Sequence, residues 1–145
     1  MTEEVGGVEI RKVTHWNIPE IVDLYREGSW WKEGWDPALL PDLIAGSFIF
    51  LVAVDPASGK AIGMGRVISD GISDGYIQDL VVHSGWRRKG IGHAILRRLV
   101  AECREARLSW IGCIAEPGTE GFYYPCGFLP MEGHLPLLHR EGSAC

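Results

Sequence analysis

The stretch from Tyr76 to Ala115 limits the fold more than any other part of this chain. It opens as an apolar strand, Tyr76-Ile77-Gln78-Asp79-Leu80-Val81-Val82, and passes through a basic turn. It then becomes a helix, with Ile91, Ala94, Ile95, Leu99, Cys103 and Ala106 at spacings of mostly three and four. Leu108 to Ala115 returns to an apolar strand. Strand, helix and strand in this order make a crossover, which antiparallel hairpins alone cannot supply.

The segments before it read differently. Val8 to Val13 alternates apolar and polar residues, as a half-buried strand does. Asn17 is placed to cap a helix that carries Pro19 in its first turn and Ile21, Val22, Leu24 and Tyr25 on its apolar face; Gly28 ends it. Asp36-Pro37 opens a second short helix that closes near Gly46. Phe48 to Val54 is apolar and β-branched, a strand covered on both faces. The turn Asp55-Pro56-Ala57-Ser58-Gly59 joins it to a strand from Ala61 to Ile68. Beyond the crossover, a short helix carries Phe122 and Tyr123, Gly127-Phe128 starts a final strand region, and Leu135 to His139 gives a weak signal for another. Antiparallel strands followed by a crossover place the chain in the α+β class with a mixed, mostly antiparallel sheet.

With 145 residues the chain suits one domain, residues 1–145, and its 46% hydrophobic and 23% charged content suffices for a core without crosslinks or metal. Cys103, Cys113, Cys126 and Cys145 form no CxxC pair and read as reduced thiols, which with the acidic start Met1-Thr2-Glu3-Glu4 leads us to expect a cytoplasmic protein. His15, His83, His93, His134 and His139 lack metal-ligand spacing, so no metal is expected. No apolar run approaches the ~20 residues that span a bilayer. A net charge of -5 argues against a nucleic-acid partner, although an acidic protein can carry a local cationic loop.

Such a loop is present. In Val82-His83-Ser84-Gly85-Trp86-Arg87-Arg88-Lys89-Gly90-Ile91-Gly92-His93, a strand runs into a basic turn that delivers two glycines to the start of a helix. Unpaired N–H groups and the positive end of the helix dipole meet there, and glycine lets backbone approach a phosphate closely. The loop is neither a Walker P-loop nor a GxGxxG fingerprint. A solvated basic turn that only packs strand against helix is the alternative reading.

Arg87-Arg88-Lys89-Gly90-Ile91-Gly92 fits the Arg/Gln-x-x-Gly-x-Gly/Ala loop of the GNAT superfamily of acetyl-CoA-dependent N-acetyltransferases, and Phe122-Tyr123-Tyr124-Pro125-Cys126-Gly127-Phe128 fits its Phe-Tyr-x-x-x-Gly-Phe motif. With Asp79-Leu80-Val81-Val82 as the strand leading in, the chain resembles that family from about Val8 to Phe128. The resemblance implies a sheet flanked by helices on both faces, with strands splayed at the coenzyme site around Val82 and Ile114. It implies acetyl-CoA as co-substrate. Leu80, Val81 and Val82 would bond the pantetheine arm through their backbone, and Arg87, Arg88, Lys89, Gly90, Ile91, Gly92 and His93 would hold the pyrophosphate. Tyr123 falls at the family's general-acid position, contacting the coenzyme and protonating the departing thiolate.

The base departs from the pattern. Tyr76 and Gln78 stand where several members carry Glu or His, and neither is a useful base; both are assigned instead to the acceptor side. Asp79 falls on the opposite face by strand alternation and reads as structural. Glu116, acting through an ordered water, is the candidate that remains, with Glu120 and His83 behind it. The connection after the first helix, with Glu27, Trp30, Trp31, Glu33, Trp35 and Asp36, walls the acceptor pocket of such folds. Indole faces and carboxylates suit a small cationic amine, although any single tryptophan can equally be core. A protein amine as acceptor, and a coenzyme-binding module without turnover, are the competing readings. The edges expected for the C-terminal strands leave room for a homodimer.

Overall fold

The computed structural model describes residues 3–144, and these divide into two compact units that meet at Cys113–Ile114. The first holds a six-stranded sheet in the order β1 to β6: β1 (Glu3–Val5), β2 (Val8–Lys12), β3 (Ile49–Val54), β4 (Ala61–Ile68), β5 (Asp74–Val82) and β6 (Trp110–Cys113). Neighbours pair antiparallel except β5 and β6, which pair in parallel, as the crossover demands. The expected mixed α+β sheet is therefore found.

Helices cover both faces of this sheet. On one lie α1 (Ile18–Glu27) and α2 (Leu40–Gly46), where Ile21, Leu24, Tyr25, Leu40 and Ile44 pack with Phe50, Val52, Val54, Met64 and Val81. On the other lies α3 (Ile91–Glu105), with Ile91, Ile95, Leu99 and Cys103 buried. All six residues of β3 are buried because each alternate side chain meets one of the two helical layers. The Asn17 side chain accepts from the Glu20 N–H at 3.1 Å and so caps α1. Glu20 Oε1 in turn accepts from Trp16 Nε1 at 3.0 Å and from the Ala61 N–H at 2.7 Å, which ties the start of α1 to the start of β4.

Two departures from the sequence reading concern strands. β1 was missed. It is three residues long, and the doublet Gly6-Gly7, both at positive φ, turns it into β2. The strands expected at Gly127-Phe128 and Leu135–His139 are not formed: among the described residues no strand follows Cys113. In the second unit α4 (Glu120–Tyr123) runs into a 3-10 turn, Tyr124–Cys126, closed by Gly127 at φ +87 with its N–H on the Tyr124 carbonyl. Pro130 and Pro136 lack the N–H a ladder needs, and Leu135, Leu137 and Leu138 are exposed. β6 is likewise shorter than the apolar run Leu108–Ala115. Cys103, Cys113 and Cys126 are free thiols, and Cys145 lies outside the described residues.

Candidate active site

The basic loop begins where β5 ends. Ser84–Trp86 forms a 3-10 turn, Arg87 is extended, Arg88 is left-handed at φ +64, and Gly90 is left-handed at φ +81 immediately before α3. A side chain disfavours that last conformation, so glycine is the residue that admits the chain to the helix. Gly90, as the N-cap, has no side chain with which to cap α3. Its first N–H groups, from Ile91 and Gly92, have no intrahelical acceptor and lie at the positive end of a fifteen-residue helix.

The three basic side chains divide by role. Arg87 Nε donates to the Val82 carbonyl at 3.1 Å, and its Nη2 meets Glu27 at 3.4 Å. Lys89 Nζ lies 4.9 Å from the centre of the Trp86 ring. Among the described residues no ion pair or hydrogen bond engages the Arg88 side chain, which is exposed. Arg87 thus braces the loop, while Arg88 is open to a ligand. Glu27, expected on the acceptor wall, instead faces the loop: its carboxylate also meets Ser84 Oγ and His83 Nε2, each at 3.4 Å. A cleft of about 690 Å3 adjoins this junction, with Glu27, His83 and Trp86 among the residues that line it.

β5 itself is irregular where the coenzyme arm was expected. Its pairing with β6 ends at Ile77 opposite Cys113, so Gln78 to Val82 have no β6 partner. On the β4 side the register slips: Arg66 faces Gln78 and Met64 faces Val81, leaving Gly65 opposite both Asp79 and Leu80. Asp79, at φ +59, is the extra residue of a β-bulge. Beyond the bulge the His83 N–H donates to the Ile62 carbonyl at 2.7 Å. Antiparallel alternation then turns the N–H and C=O of Val82 away from β4, and the Arg87 bond to the Val82 carbonyl fits that orientation.

The bulge corrects the alternation argument for Asp79. Arg66 reaches both Gln78 Oε1, at 2.9 Å through Nη2, and Asp79 Oδ2, at 2.6 Å through Nε, so these consecutive residues share a face. The Tyr25 hydroxyl donates to the same Asp79 oxygen at 2.7 Å. Burial, then the Asp79 charge, raises the Tyr25 hydroxyl well above the usual phenol range. The Asp79 carboxylate is thus engaged by Arg66 and Tyr25 on the α1 side of the sheet, not on the face opposite Gln78.

Of the expected acceptor residues, Trp30, Trp31 and Gln78 stand around this network. Trp30 and Trp31 are partly buried against the α1–α2 core, with ring centres each 6.4 Å from that of Tyr25. Trp31 also meets Trp35 edge-on at 5.6 Å, and Lys32 Nζ lies 5.6 Å from the Trp35 ring centre. Trp30 and Trp31 are thus largely walls of the core, whereas Trp35 is exposed. Tyr76 faces Gly112 across the parallel pair, and Gln78 is held by Arg66. In the second unit the Tyr123 ring packs between Phe122 at 5.1 Å and Phe128 at 5.8 Å, which explains the aromatic members of its motif. Glu116 is exposed, and its carbonyl accepts from the Thr119 N–H at 3.0 Å in the turn before α4. Among the described residues no group of acidic, cysteine or histidine side chains is arranged to hold a metal.

Arg66, Tyr25 and Gly6 escaped the sequence reading. Arg66 had a signal, since it is the one charge in the apolar run Ala61–Ile68 and a buried arginine requires a partner. Tyr25 looked like any core aromatic on a helix face.

Comparison with known proteins agrees with this architecture. The sequence model described as the acetyltransferase (GNAT) family matches residues 11–128. An uncharacterized N-acetyltransferase (ycf52) of Porphyra purpurea is 25% identical over 126 residues, covering 87% of this chain and 72% of the relative. A chloroplastic serotonin N-acetyltransferase of Oryza sativa subsp. japonica is 35% identical over 72 residues, but the match spans half of this chain and 36% of that protein. Among solved structures, a GNAT family acetyltransferase of Streptococcus pneumoniae superposes with a TM-score of 0.77, covering 94% of this chain and 99% of the other. At 21% identity that likeness speaks for the fold alone.

Proposed function

Starting from the acetyltransferase (GNAT) family, to which this chain belongs, we propose that it moves an acetyl group from acetyl-CoA to the primary amine of a small molecule. The observation that carries the proposal is the continuity of β5, loop and α3. A strand end without a β6 partner leads through the basic loop and a left-handed glycine into the N-terminus of α3. Peptide-like pantetheine suits the first feature and pyrophosphate the second. Leu80 and Val82 would bond the arm, with Val81 between them turned to Met64 of β4; Arg88 and the amides of Gly90, Ile91 and Gly92 would hold the phosphates, with Arg87 and Lys89 shaping the turn.

The amine attacks the thioester carbonyl directly, and the carbon–sulfur bond breaks as the new carbon–nitrogen bond forms. Tyr123 gives its phenolic proton to the leaving sulfur. Glu116 takes the proton from the attacking nitrogen through a water. These two roles rest on the motif and on position in the chain. A small acceptor is supported by two relatives named for small primary amines, the serotonin enzyme and a rice glucosamine 6-phosphate N-acetyltransferase 30% identical over 95 residues. Glu33 and Asp36, exposed beside Trp35, favour a cationic one.

The test is acetyl-CoA consumption across a panel of small amines, polyamines and lysine peptides, with the acetylated product identified by mass. Transfer to a small amine is expected, with kcat falling in Tyr123→Phe while acetyl-CoA still binds. Binding without turnover across the panel would replace the enzyme with a coenzyme-binding module. An unchanged pH–rate profile in Glu116→Gln would remove that residue from the mechanism.

A further inference from the structure

The loop before α3 is braced from outside its own motif, and one brace comes from the far end of the sequence. Gly6 sits in the β1–β2 turn at φ +57, and a Cβ built on it would lie 2.8 Å from the Lys89 carbonyl oxygen. The same atom would stand 3.0 Å from the Lys89 Cβ and 3.1 Å from Ile91 Cγ1. Backbone of the turn therefore rests directly on backbone of the loop. Its neighbour Gly7 has the same left-handed conformation, φ +81, but a Cβ there meets nothing within 4 Å. Adjacent glycines thus separate two requirements: conformation at both, clearance for the loop at Gly6 alone.

Glu27, the last residue of α1, holds the loop from another side. Its two carboxylate oxygens meet Ser84 Oγ, His83 Nε2 and Arg87 Nη2, each at 3.4 Å. Each contact is long and individually weak, but all three converge on the segment that carries the chain from β5 to the left-handed Arg88 and Gly90. Backbone amides bind an anion well only when their directions are fixed beforehand.

We infer that Gly6 and Glu27 are positioning residues for the pyrophosphate seat. They touch no substrate and act by setting the path of residues 83–91. The inference rests on the proposed reading of that loop as the acetyl-CoA phosphate site.

The experiment measures the affinity of the full chain for coenzyme A and for pantetheine, which lacks the pyrophosphate. Wild type, Gly6→Ala, Gly7→Ala and Glu27→Gln are compared, with thermal unfolding of each. Gly6→Ala should weaken coenzyme A by about tenfold, as a misdirected site does, and leave pantetheine unchanged. Gly7→Ala should lose stability through the same backbone strain and keep wild-type affinity. Glu27→Gln, which removes the charge and turns one of the two acceptor oxygens into a donor, should weaken coenzyme A by about threefold with pantetheine unchanged; it carries the test alone if Gly6→Ala does not fold. Equal losses in the two glycine variants, equal losses for the two ligands, or unchanged coenzyme A affinity in Gly6→Ala and Glu27→Gln would overturn the inference. A wild-type chain that binds no coenzyme A would instead overturn the proposed function beneath it.

Discussion

Replacing Asp79 by alanine should be among the most damaging single changes outside the apolar core. Asp79 and Arg66 keep only 17% and 14% of their side-chain exposure, so the pair is largely withdrawn from water. Removing one partner of a fully buried pair costs about 3–5 kcal/mol. Arg66 retains Gln78 and some solvent, so about 2 kcal/mol is the appropriate share here. The Tyr25 hydroxyl also loses its acceptor, worth about 1 kcal/mol. Alanine is less tolerant than aspartate of φ +59, which adds roughly 0.5–1 kcal/mol. Asp79→Ala should therefore lose about 3–4 kcal/mol, whereas Asp79→Asn, which keeps an oxygen for Tyr25 and tolerates the left-handed backbone, should lose about 1–2 kcal/mol. At about 3 °C per kcal/mol for a chain of this size, the melting temperatures should fall by roughly 10 °C and 5 °C. Urea unfolding of Asp79→Ala, Arg66→Met and the double variant should show a coupling of about 2 kcal/mol. A loss below about 1 kcal/mol in Asp79→Ala, or strictly additive effects, would refute the reasoning, because the bulge would then hold without its ion pair.

The same network gives a pH dependence. The native Tyr25 hydroxyl keeps its proton at pH values where the unfolded phenol has lost it, so stability is full below about pH 10 and falls as pH rises beyond it. Urea midpoints between about pH 9 and 11 should fall less steeply in Tyr25→Phe than in wild type. Gly90→Ala should cost about 1 kcal/mol from φ +81 and raise the KM for acetyl-CoA with little change in kcat, since its Cβ meets nothing within 4 Å. Cys103 is fully buried, and burial, then Glu102, pushes its thiol up. Iodoacetamide at neutral pH, followed by mass spectrometry, should therefore label Cys103 only after unfolding.

Regular periodicity was readable from the sequence. Val8–Lys12, α1 with its Asn17 cap, the apolar β3 and the helix opening at Gly90 all fell where spacing and capping residues put them. What escaped was set by contacts distant in sequence. β1 has only three residues, too few for an alternation signal, although the Gly6-Gly7 doublet marked its turn. The Asp79 bulge follows from the pairing of β5 with β4, and one inserted residue defeats an argument built on alternation. Glu27 drew attention as a carboxylate near tryptophans, yet its partners lie some sixty residues away in the loop. At the C-terminal end, leucines suggested strands that Pro130 and Pro136 do not permit.

The central claim is that the start of α3 seats the coenzyme's phosphates and the end of β5 its arm. Backbone amide resonances followed during titration with acetyl-CoA test it most directly. The account predicts saturable shifts concentrated at Arg88 to His93 and at Leu80 to Val82, with only the first group moving when adenosine 3′,5′-diphosphate is the ligand. Shifts that leave the Gly90–His93 amides unmoved by either ligand would contradict it.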